Sequence, residues 1–107
     1  MTEDELLSGI TEALTYAGWR WTHIRRSDGI TMGHVGLPDI IAAHTERDHV
    51  LAWELKAERG VLMPDQAAWL VALHAGRCVD ARVIRPSMYD AALEVILRGT
   101  DPREAFR

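Results

Sequence analysis

Two short apolar runs near the middle of the chain constrain its fold most, because they predict a pair of adjacent strands. The runs cover residues 40–43 and 50–53, and the polar segment 45–48 separates them. Folded as an antiparallel hairpin about that segment, they bring Asp39 opposite Glu54, with Cβ atoms about 4.5–5.5 Å apart. Since side chains alternate along a strand, Glu54 and Lys56 share one face of the sheet. Trp53 and Leu55 turn to the opposite face.

Asp39 and Glu54, brought together in this way, make an oxygen-rich site for a hard cation. Mg²⁺ takes oxygen ligands at about 2.0–2.1 Å and keeps several waters for chemistry. Lys56 adds a positive charge that could position a water or offset the charge of a phosphate. A Glu-x-Lys pair alone is more often an exposed charge pair, so the inference depends on the whole combination. That combination suggests metal-dependent cleavage of a phosphodiester.

Further motifs occur in a recognisable order along most of the chain. They are an acidic helix start, Gly18-Trp19, Arg25-Arg26-Ser27, Gly36-Leu37-Pro38-Asp39, Glu54-Leu55-Lys56, Gln66-Ala67-Ala68-Trp69 and Gly76. The set resembles the PD-(D/E)xK nuclease superfamily and, within it, the small stand-alone VRR-NUC domains of phages and bacteria. The resemblance implies a restriction-endonuclease-like α/β core with a small mixed sheet flanked by helices. It also implies dependence on Mg²⁺ or Mn²⁺, and often a homodimer acting on branched or structured DNA.

The resemblance also implies a role for each residue of the central stretch. Asp39 and Glu54 would be metal ligands, and the backbone carbonyl of Leu55 would be a third. Lys56 would be the catalytic lysine. Gln66 would support the site from the first turn of its helix.

The long glycine-containing segment before Asp39 is expected to contact DNA, because a loop of this length in a short chain usually has a function. Within it, the candidate DNA-binding residues are Arg25, Arg26, Ser27 and His34. For His34, an exposed or structural role is the alternative. For the arginines, the alternative is an ordinary solvated surface position.

The net charge of −4 opposes nonspecific binding to nucleic acid, since affinity for the phosphate backbone comes largely from Lys and Arg. The distribution of charge softens this objection. The basic residues gather in two groups, one comprising Arg20, Arg25 and Arg26 and the other comprising Arg77, Arg82 and Arg85. Carboxylates that hold a metal also cease to repel DNA once the cation is bound.

The first helix is predicted over residues 2–17, where Thr2 and Glu5 fit a capping box. Glu3 precedes Leu6 and Leu7 by helical steps, which predicts that it lies on the apolar stripe. Family members carry a glutamate near this position that helps bind metal, so Glu3 is the first candidate for an additional ligand and Glu5 the second. Acidic residues also favour a helix N-terminus through the macrodipole, which explains these residues equally well.

The remaining elements follow from periodicity, turn residues and caps. A strand is predicted over residues 19–24, a helix from Pro64 to before Gly76, and a strand over residues 79–84. Ser87 is expected to cap a last helix through residue 97, and the tail over residues 99–107 is expected to be loosely held. Two helices would cover one face of the mixed sheet, leaving the other face or an edge for a partner.

The chain of 107 residues forms a single domain over residues 1–107, since it is too short for two cores. No apolar run is long enough to cross a bilayer, and the acidic start is unlike a secretory signal, so a cytoplasmic location in a bacterium or a phage-infected cell is expected. The lone Cys78 excludes an internal disulfide and is expected to be a buried free thiol.

These observations favour a structure-selective endodeoxyribonuclease resembling a Holliday-junction resolvase. The main alternative is a nuclease-fold module that binds DNA or a protein without cleaving either. A third hypothesis is an interaction subunit with no affinity for DNA, which the acidic charge would suit. The first two differ in whether DNA affinity depends on Mg²⁺ and on Lys56.

Overall fold

A four-stranded mixed sheet with helices on both faces organises the protein, in a computed structural model that describes residues 1–24 and 32–107. The helices are α1 (Glu3–Tyr16), α2 (Pro64–His74), α3 (Tyr89–Arg98) and α4 (Pro102–Ala105). The strands are β1 (Arg20–His23), β2 (Ile40–Ala43), β3 (Val50–Leu55) and β4 (Val79–Ile84). The expected compact α/β domain with a small mixed sheet flanked by helices is confirmed. None of the helices within these ranges has the length and apolar character that crossing a bilayer requires.

The strands lie in chain order across the sheet, and only the last pair is parallel. β1 pairs antiparallel with β2, β2 pairs antiparallel with β3, and β3 pairs parallel with β4. Ile40 lies opposite Trp53 in the β2–β3 hairpin. The register therefore continues to Asp39 opposite Glu54, as the hairpin pattern predicted. β3 continues past the apolar run over residues 50–53 and ends at Leu55.

Five of the six residues of β3 are buried, because helices cover this strand on both faces. Trp53 and Leu55 belong to the core that α1 and α3 form on one face, whereas Ala52 packs with Leu70 of α2 on the other. The expectation that both covering helices lie on one face is therefore wrong. The connection between parallel strands β3 and β4 has to cross a sheet face, and α2 is that connection.

The predicted start of α1 is confirmed in detail. The Thr2 hydroxyl accepts a hydrogen bond from the Glu5 amide at 3.1 Å, and the Glu5 carboxylate accepts one from the Thr2 amide at 2.8 Å. These bonds hold the pKa of Glu5 below its ordinary value. Further along, Gly9 lets α1 approach α3, since a Cβ at this position would lie 2.5 Å from the Tyr89 hydroxyl.

A buried acidic residue ties β3 to β4 on the side of α1 and α3. Asp80 is 4% exposed and accepts a hydrogen bond from the Trp53 indole N–H at 2.8 Å. Arg82 donates to the same carboxylate through Nε, at 2.9 Å and 3.0 Å, and through its terminal nitrogen at 2.6 Å. The buried charge is thus paired and hydrogen-bonded, as its burial requires.

The C-terminal segment is held firmly, so the expectation of a loose tail is wrong. The Asp101 carboxylate caps α4 by accepting from the Arg103 amide at 2.9 Å, and hydrogen bonds from the Arg103 side chain and backbone lower the pKa of Asp101 to about 2. Phe106 packs edge-on against Trp53, with ring centroids 5.9 Å apart. The Arg82 guanidinium carbon lies 4.1 Å from the centroid of the same ring. These contacts join positions far apart in sequence, which local periodicity does not reveal.

Two smaller expectations are also wrong. Ser87 does not cap α3, because a 3-10 turn over Pro86–Met88 precedes that helix and the Ser87 amide instead donates to the Glu58 carboxylate at 3.0 Å. Cys78 is exposed, because it lies in the turn immediately before β4.

The contacts of Phe106 predict that the C-terminus contributes to global stability. We expect Phe106→Ala to lower the free energy of unfolding by about 2 kcal/mol, less than for a fully buried phenylalanine because the ring is partly exposed. Urea denaturation followed by circular dichroism measures this change. Tyr16→Ala is the matched control, since Tyr16 is 87% exposed and its loss should change stability by less than about 0.5 kcal/mol. Equal midpoints for Phe106→Ala and wild type would show that the tail does not stabilise the fold.

Candidate active site

Asp39 directly precedes β2, and two hydrogen bonds fix it between the ends of β1 and β3. Its carboxylate oxygen Oδ2 accepts a hydrogen bond from the Leu55 amide at 2.8 Å. Its backbone carbonyl accepts one from the Ile24 amide at 2.7 Å. The side chain is therefore oriented towards the end of β3, beside the peptide group that joins Glu54 to Leu55.

Glu54 is buried, with 3% of its surface exposed, and one of its oxygens meets two side chains of the candidate site. The Gln66 amide nitrogen donates to Oε2 at 3.1 Å, and the Lys56 ammonium lies 3.8 Å from the same atom. Lys56 is itself largely shielded, with 15% of its side chain exposed. A buried carboxylate needs such partners, because desolvation of an isolated charge costs several kcal/mol, on the order of the whole stability of a small domain.

Gln66 connects the site to the start of α2. Its side-chain oxygen accepts a hydrogen bond from the Met63 amide at 2.9 Å, while its nitrogen reaches Glu54. Met63 has no side-chain oxygen with which to cap the helix. Only one of the two bonds of a capping box is therefore made, the one from the Met63 amide to Gln66. The same side chain thus satisfies the helix end and orients the buried carboxylate.

The segment that leads into Asp39 packs against the first turns of α2. Gly36 has a φ of 97°, and a Cβ there would lie 2.7 Å from the Asp65 backbone, so only glycine fits this approach. The Trp69 indole donates to the carbonyl of His34 at 3.3 Å. His34 itself is exposed. This packing places the segment beside the helix that presents Gln66.

Some of the candidate residues do not join this group. Glu3 is exposed at the first turn of α1, so the prediction that it lies on the buried stripe is wrong; the packed stripe begins only at Leu6. Glu5 is engaged in the capping box. Across residues 1–24 and 32–107, no three or more His, Cys, Asp or Glu residues are grouped as metal ligands, so Glu3 does not complete a site with Asp39 and Glu54.

The candidate DNA-binding residues Arg25, Arg26 and Ser27 lie outside the described residues. The second group of arginines is largely engaged within the chain. Arg82 pairs with Asp80, and Arg85 donates to three backbone carbonyls of the turn after Lys56. Sequence reasoning did not find this role of Arg85, because its acceptors lie on a distant turn and no local pattern marks them.

The donor set at this end of the sheet fits Mg²⁺ or Mn²⁺. Asp39, Glu54 and the Leu55 carbonyl offer oxygen atoms only, which hard divalent cations prefer over nitrogen or sulfur. Two carboxylates are also the usual protein contribution to a magnesium site, since this ion keeps several waters and takes further ligands from substrate phosphate. Lys56 adds a positive charge beside Glu54.

Comparisons with protein-family models, curated proteins and solved structures found no match for this chain. The group formed by Asp39, Glu54, Lys56 and Gln66 is the observation from which a function is inferred. Glu54 lies in β3 and contacts both Gln66 of α2 and Lys56, which directly follows β3. Asp39 directly precedes β2, and its carboxylate accepts from the amide of Leu55, the residue next to Glu54.

The double role of Gln66 can be tested by pH-dependent stability. Gln66→Glu keeps an acceptor for the Met63 amide but puts a second carboxylate beside Glu54, and two adjacent carboxylates raise the pKa of one of them. A raised pKa makes the variant most stable below the ordinary carboxyl pKa, and its stability falls as pH rises from that value to the raised pKa of the folded state. We expect a loss of about 2 kcal/mol relative to wild type at pH 8 and a smaller loss at pH 5, measured by urea denaturation.

Gln66→Leu is the companion variant, since it removes both hydrogen bonds without adding a charge. Its loss of stability should differ little between the two pH values. If Gln66→Glu behaved in the same way, the contact between Gln66 and Glu54 would not be the source of the effect.

Proposed function

We propose that this protein is a metal-dependent endodeoxyribonuclease that hydrolyses phosphodiester bonds in structured DNA, as a Holliday-junction resolvase does. The observation that supports this best is the convergence on one buried carboxylate: Gln66 and Lys56 both approach Oε2 of Glu54, beside the Asp39 carboxylate. The resemblance of the sequence motifs also implies a restriction-endonuclease-like core and a bacterial or phage setting, and the acidic first residues suit the cytoplasm.

Each side chain has a distinct task in the proposed reaction. Asp39, Glu54 and the Leu55 carbonyl would hold the cation through oxygen, and Gln66 orients Glu54 by its hydrogen bond to Oε2. When bound, Mg²⁺ or Mn²⁺ supplies a water of lowered pKa and offsets charge on the phosphate. Lys56 orients the attacking water or stabilises the negative charge that develops on the phosphate oxygens. The water would lose one proton and bond through its oxygen to phosphorus as the P–O bond to the sugar breaks. The departing sugar oxygen would take up one proton, so that one water is added across the bond.

The setting of Lys56 favours the enzyme over the non-cleaving module. A lysine that only attracts DNA would serve best in an exposed position, where its long side chain can follow the phosphates. Here the ammonium is shielded and lies 3.8 Å from a buried carboxylate. Arg82 and Arg85 are engaged within the chain, so these two guanidinium groups have little capacity left to bind phosphates.

We further propose that two copies of the chain associate through the outer face of α2. Ala68, Val71 and Ala72 are exposed there, and Val71 is 73% exposed. Asp65 is exposed in the first turn of α2, and Arg77 is exposed in the turn that follows the helix, at equal sequence distances from Val71. An antiparallel pairing of two such helices would therefore bring opposite charges together at both ends while covering the apolar middle. A homodimer supplies the two sites that cleavage of two strands requires.

The nuclease proposal is tested by incubating purified protein with labelled four-way junction, flap, single-stranded and duplex DNA. We expect cleavage with Mg²⁺ or Mn²⁺, none with chelator, and a preference for the branched substrates. Lys56→Ala should lower the single-turnover rate by about 100-fold or more, because a preorganised charge at the reacting phosphate is lost. Asp39→Ala and Glu54→Ala should abolish metal-dependent cleavage.

Arg98→Ala is the charge-matched control for Lys56→Ala, since 76% of the Arg98 side chain is exposed on α3. Binding without cleavage under every metal, with an affinity unaffected by Lys56→Ala, would identify the protein as a binding module. Absence of both binding and cleavage would favour an interaction subunit.

The dimer proposal predicts that Val71→Glu disrupts association, because it buries an unpaired charge against an apolar surface. Light scattering after size exclusion should give the mass of a dimer for wild type and of a monomer for the variant. Leu97→Glu is the matched control, since Leu97 is 43% exposed on α3, away from this face, and should remain dimeric. A monomeric wild type, or a dimeric Val71→Glu, would contradict the proposed interface.

A further inference from the structure

Arg85 directs one nitrogen at three backbone carbonyls of a single turn. Its Nη1 donates to the carbonyl oxygens of Ala57 at 2.7 Å, Gly60 at 2.9 Å and Glu58 at 3.1 Å. Carbonyls that converge on one point repel one another, because the negative ends of their dipoles come together. The guanidinium charge removes this repulsion, and hydrogen bonds to an ionised donor are about twice as strong as neutral ones.

The turn that Arg85 holds begins directly after Lys56 and packs against the stem of that side chain. The Lys56 amide donates to the Ile84 carbonyl at 3.1 Å, and the Gly60 amide donates to the Ala57 carbonyl at 2.9 Å. A Cβ on Gly60 would lie 3.5 Å from the Cβ of Lys56, so the backbone of the turn lies against the start of the lysine side chain. A change in this turn would therefore change the path available to Lys56.

A second contact attaches the same turn to the segment after β4. The Ser87 amide donates to the Glu58 carboxylate at 3.0 Å. Hydrogen bonds from the Ser87 side chain and backbone hold the pKa of Glu58 below its ordinary value. Glu58 is exposed, however, so this contact is open to water, whereas Arg85 is partly buried over the turn. The hydrogen bonds of Arg85 are thus less exposed to water than the contact between Ser87 and Glu58.

We propose that Arg85 is a positioning residue for Lys56: it fixes the turn over residues 57–60 and thereby the direction in which the lysine leaves β3. This inference rests on the proposed nuclease function, in which Lys56 acts at the scissile phosphate. A lysine side chain has about 2 kcal/mol of rotamer entropy. Its ammonium therefore stays beside Glu54 only if the backbone at Lys56 and the turn that follows it are held in one conformation. Arg85 then affects the rate of reaction without touching substrate.

Arg85→Met tests the proposal, because methionine keeps much of the aliphatic volume and removes every donor. We expect the single-turnover cleavage rate to fall 10- to 100-fold, since displacement of a reacting group by about 1 Å can cost about 100-fold. Affinity for the same DNA in Ca²⁺, which replaces Mg²⁺ as a probe of binding, should change by less than about 2-fold, because no phosphate contact is lost. Arg85→Lys should recover much of the rate, since an ammonium has three donors for the three carbonyls.

Arg59→Met is the matched control, since Arg59 is an exposed arginine of the same turn. Its cleavage rate should equal that of wild type, which separates loss of the carbonyl contacts from loss of positive charge. The proposal is overturned if Arg85→Met cleaves at the wild-type rate, or if its DNA affinity falls as much as its rate, which would make Arg85 a phosphate ligand. Equal defects in Arg85→Lys and Arg85→Met would also overturn it.

Nuclear magnetic resonance separates failure of this proposal from failure of the nuclease hypothesis. In wild type, the Lys56 side-chain methylene protons should be inequivalent and dispersed, and the Gly60 amide should be protected from hydrogen exchange. In Arg85→Met, the methylene signals should collapse towards free-lysine values and the exchange of Gly60 should accelerate at least about 10-fold, as local opening allows. If wild type cleaves no DNA with any metal, the nuclease hypothesis fails while these signals still decide whether Arg85 positions Lys56. Unchanged Lys56 signals in Arg85→Met would overturn the positioning role.

Discussion

The burial of a carboxylate in the central strand of the sheet is the constraint to which the neighbouring structure responds. Glu54 lies on a strand covered on both faces, where water cannot solvate its charge. Such a residue is tolerated only when donors and an opposite charge are supplied by the protein. Gln66 and Lys56 supply them, and each is held by a further contact of its own: the Met63 amide for Gln66 and the Arg85-bound turn for Lys56. The side chains that make Glu54 tolerable in the core are therefore the same ones that form the candidate site.

Asp39 links the candidate site to the sheet in a different way. Its carboxylate accepts from the Leu55 amide, a backbone donor at the end of β3. Removal of this side chain would therefore affect both the proposed metal site and the termination of the hairpin. In the same way, Gln66 serves both the start of α2 and the orientation of Glu54. Substitutions at these two positions would alter structure and chemistry together, so measurements of stability have to accompany measurements of activity.

The parts of the structure that sequence predicted correctly depend on neighbours close in the chain. The hairpin register follows from strand alternation and a short turn, and the capping box of Thr2 and Glu5 needs only a spacing of three residues. The features that were missed depend on contacts between distant segments. Ser87 meets Glu58, Phe106 meets Trp53, and Arg85 meets the turn after β3. The sequence around Ser87 or Arg85 would be the same whether or not Glu58 or the turn after β3 lay nearby. Periodicity therefore could not predict these contacts.

The parallel pairing of β4 with β3 determines when, during synthesis, the candidate site can be completed. Asp39, Glu54, Lys56 and Gln66 all leave the ribosome before β4 does, and the hairpin that aligns the first two can close over a short loop at low entropic cost. Lys56 still lacks its backbone acceptor on Ile84 and the arginine that holds its turn. A nascent chain would thus carry every side chain of the candidate site before Lys56 is held in position. The proposed activity would arise only when the last strand pairs with β3.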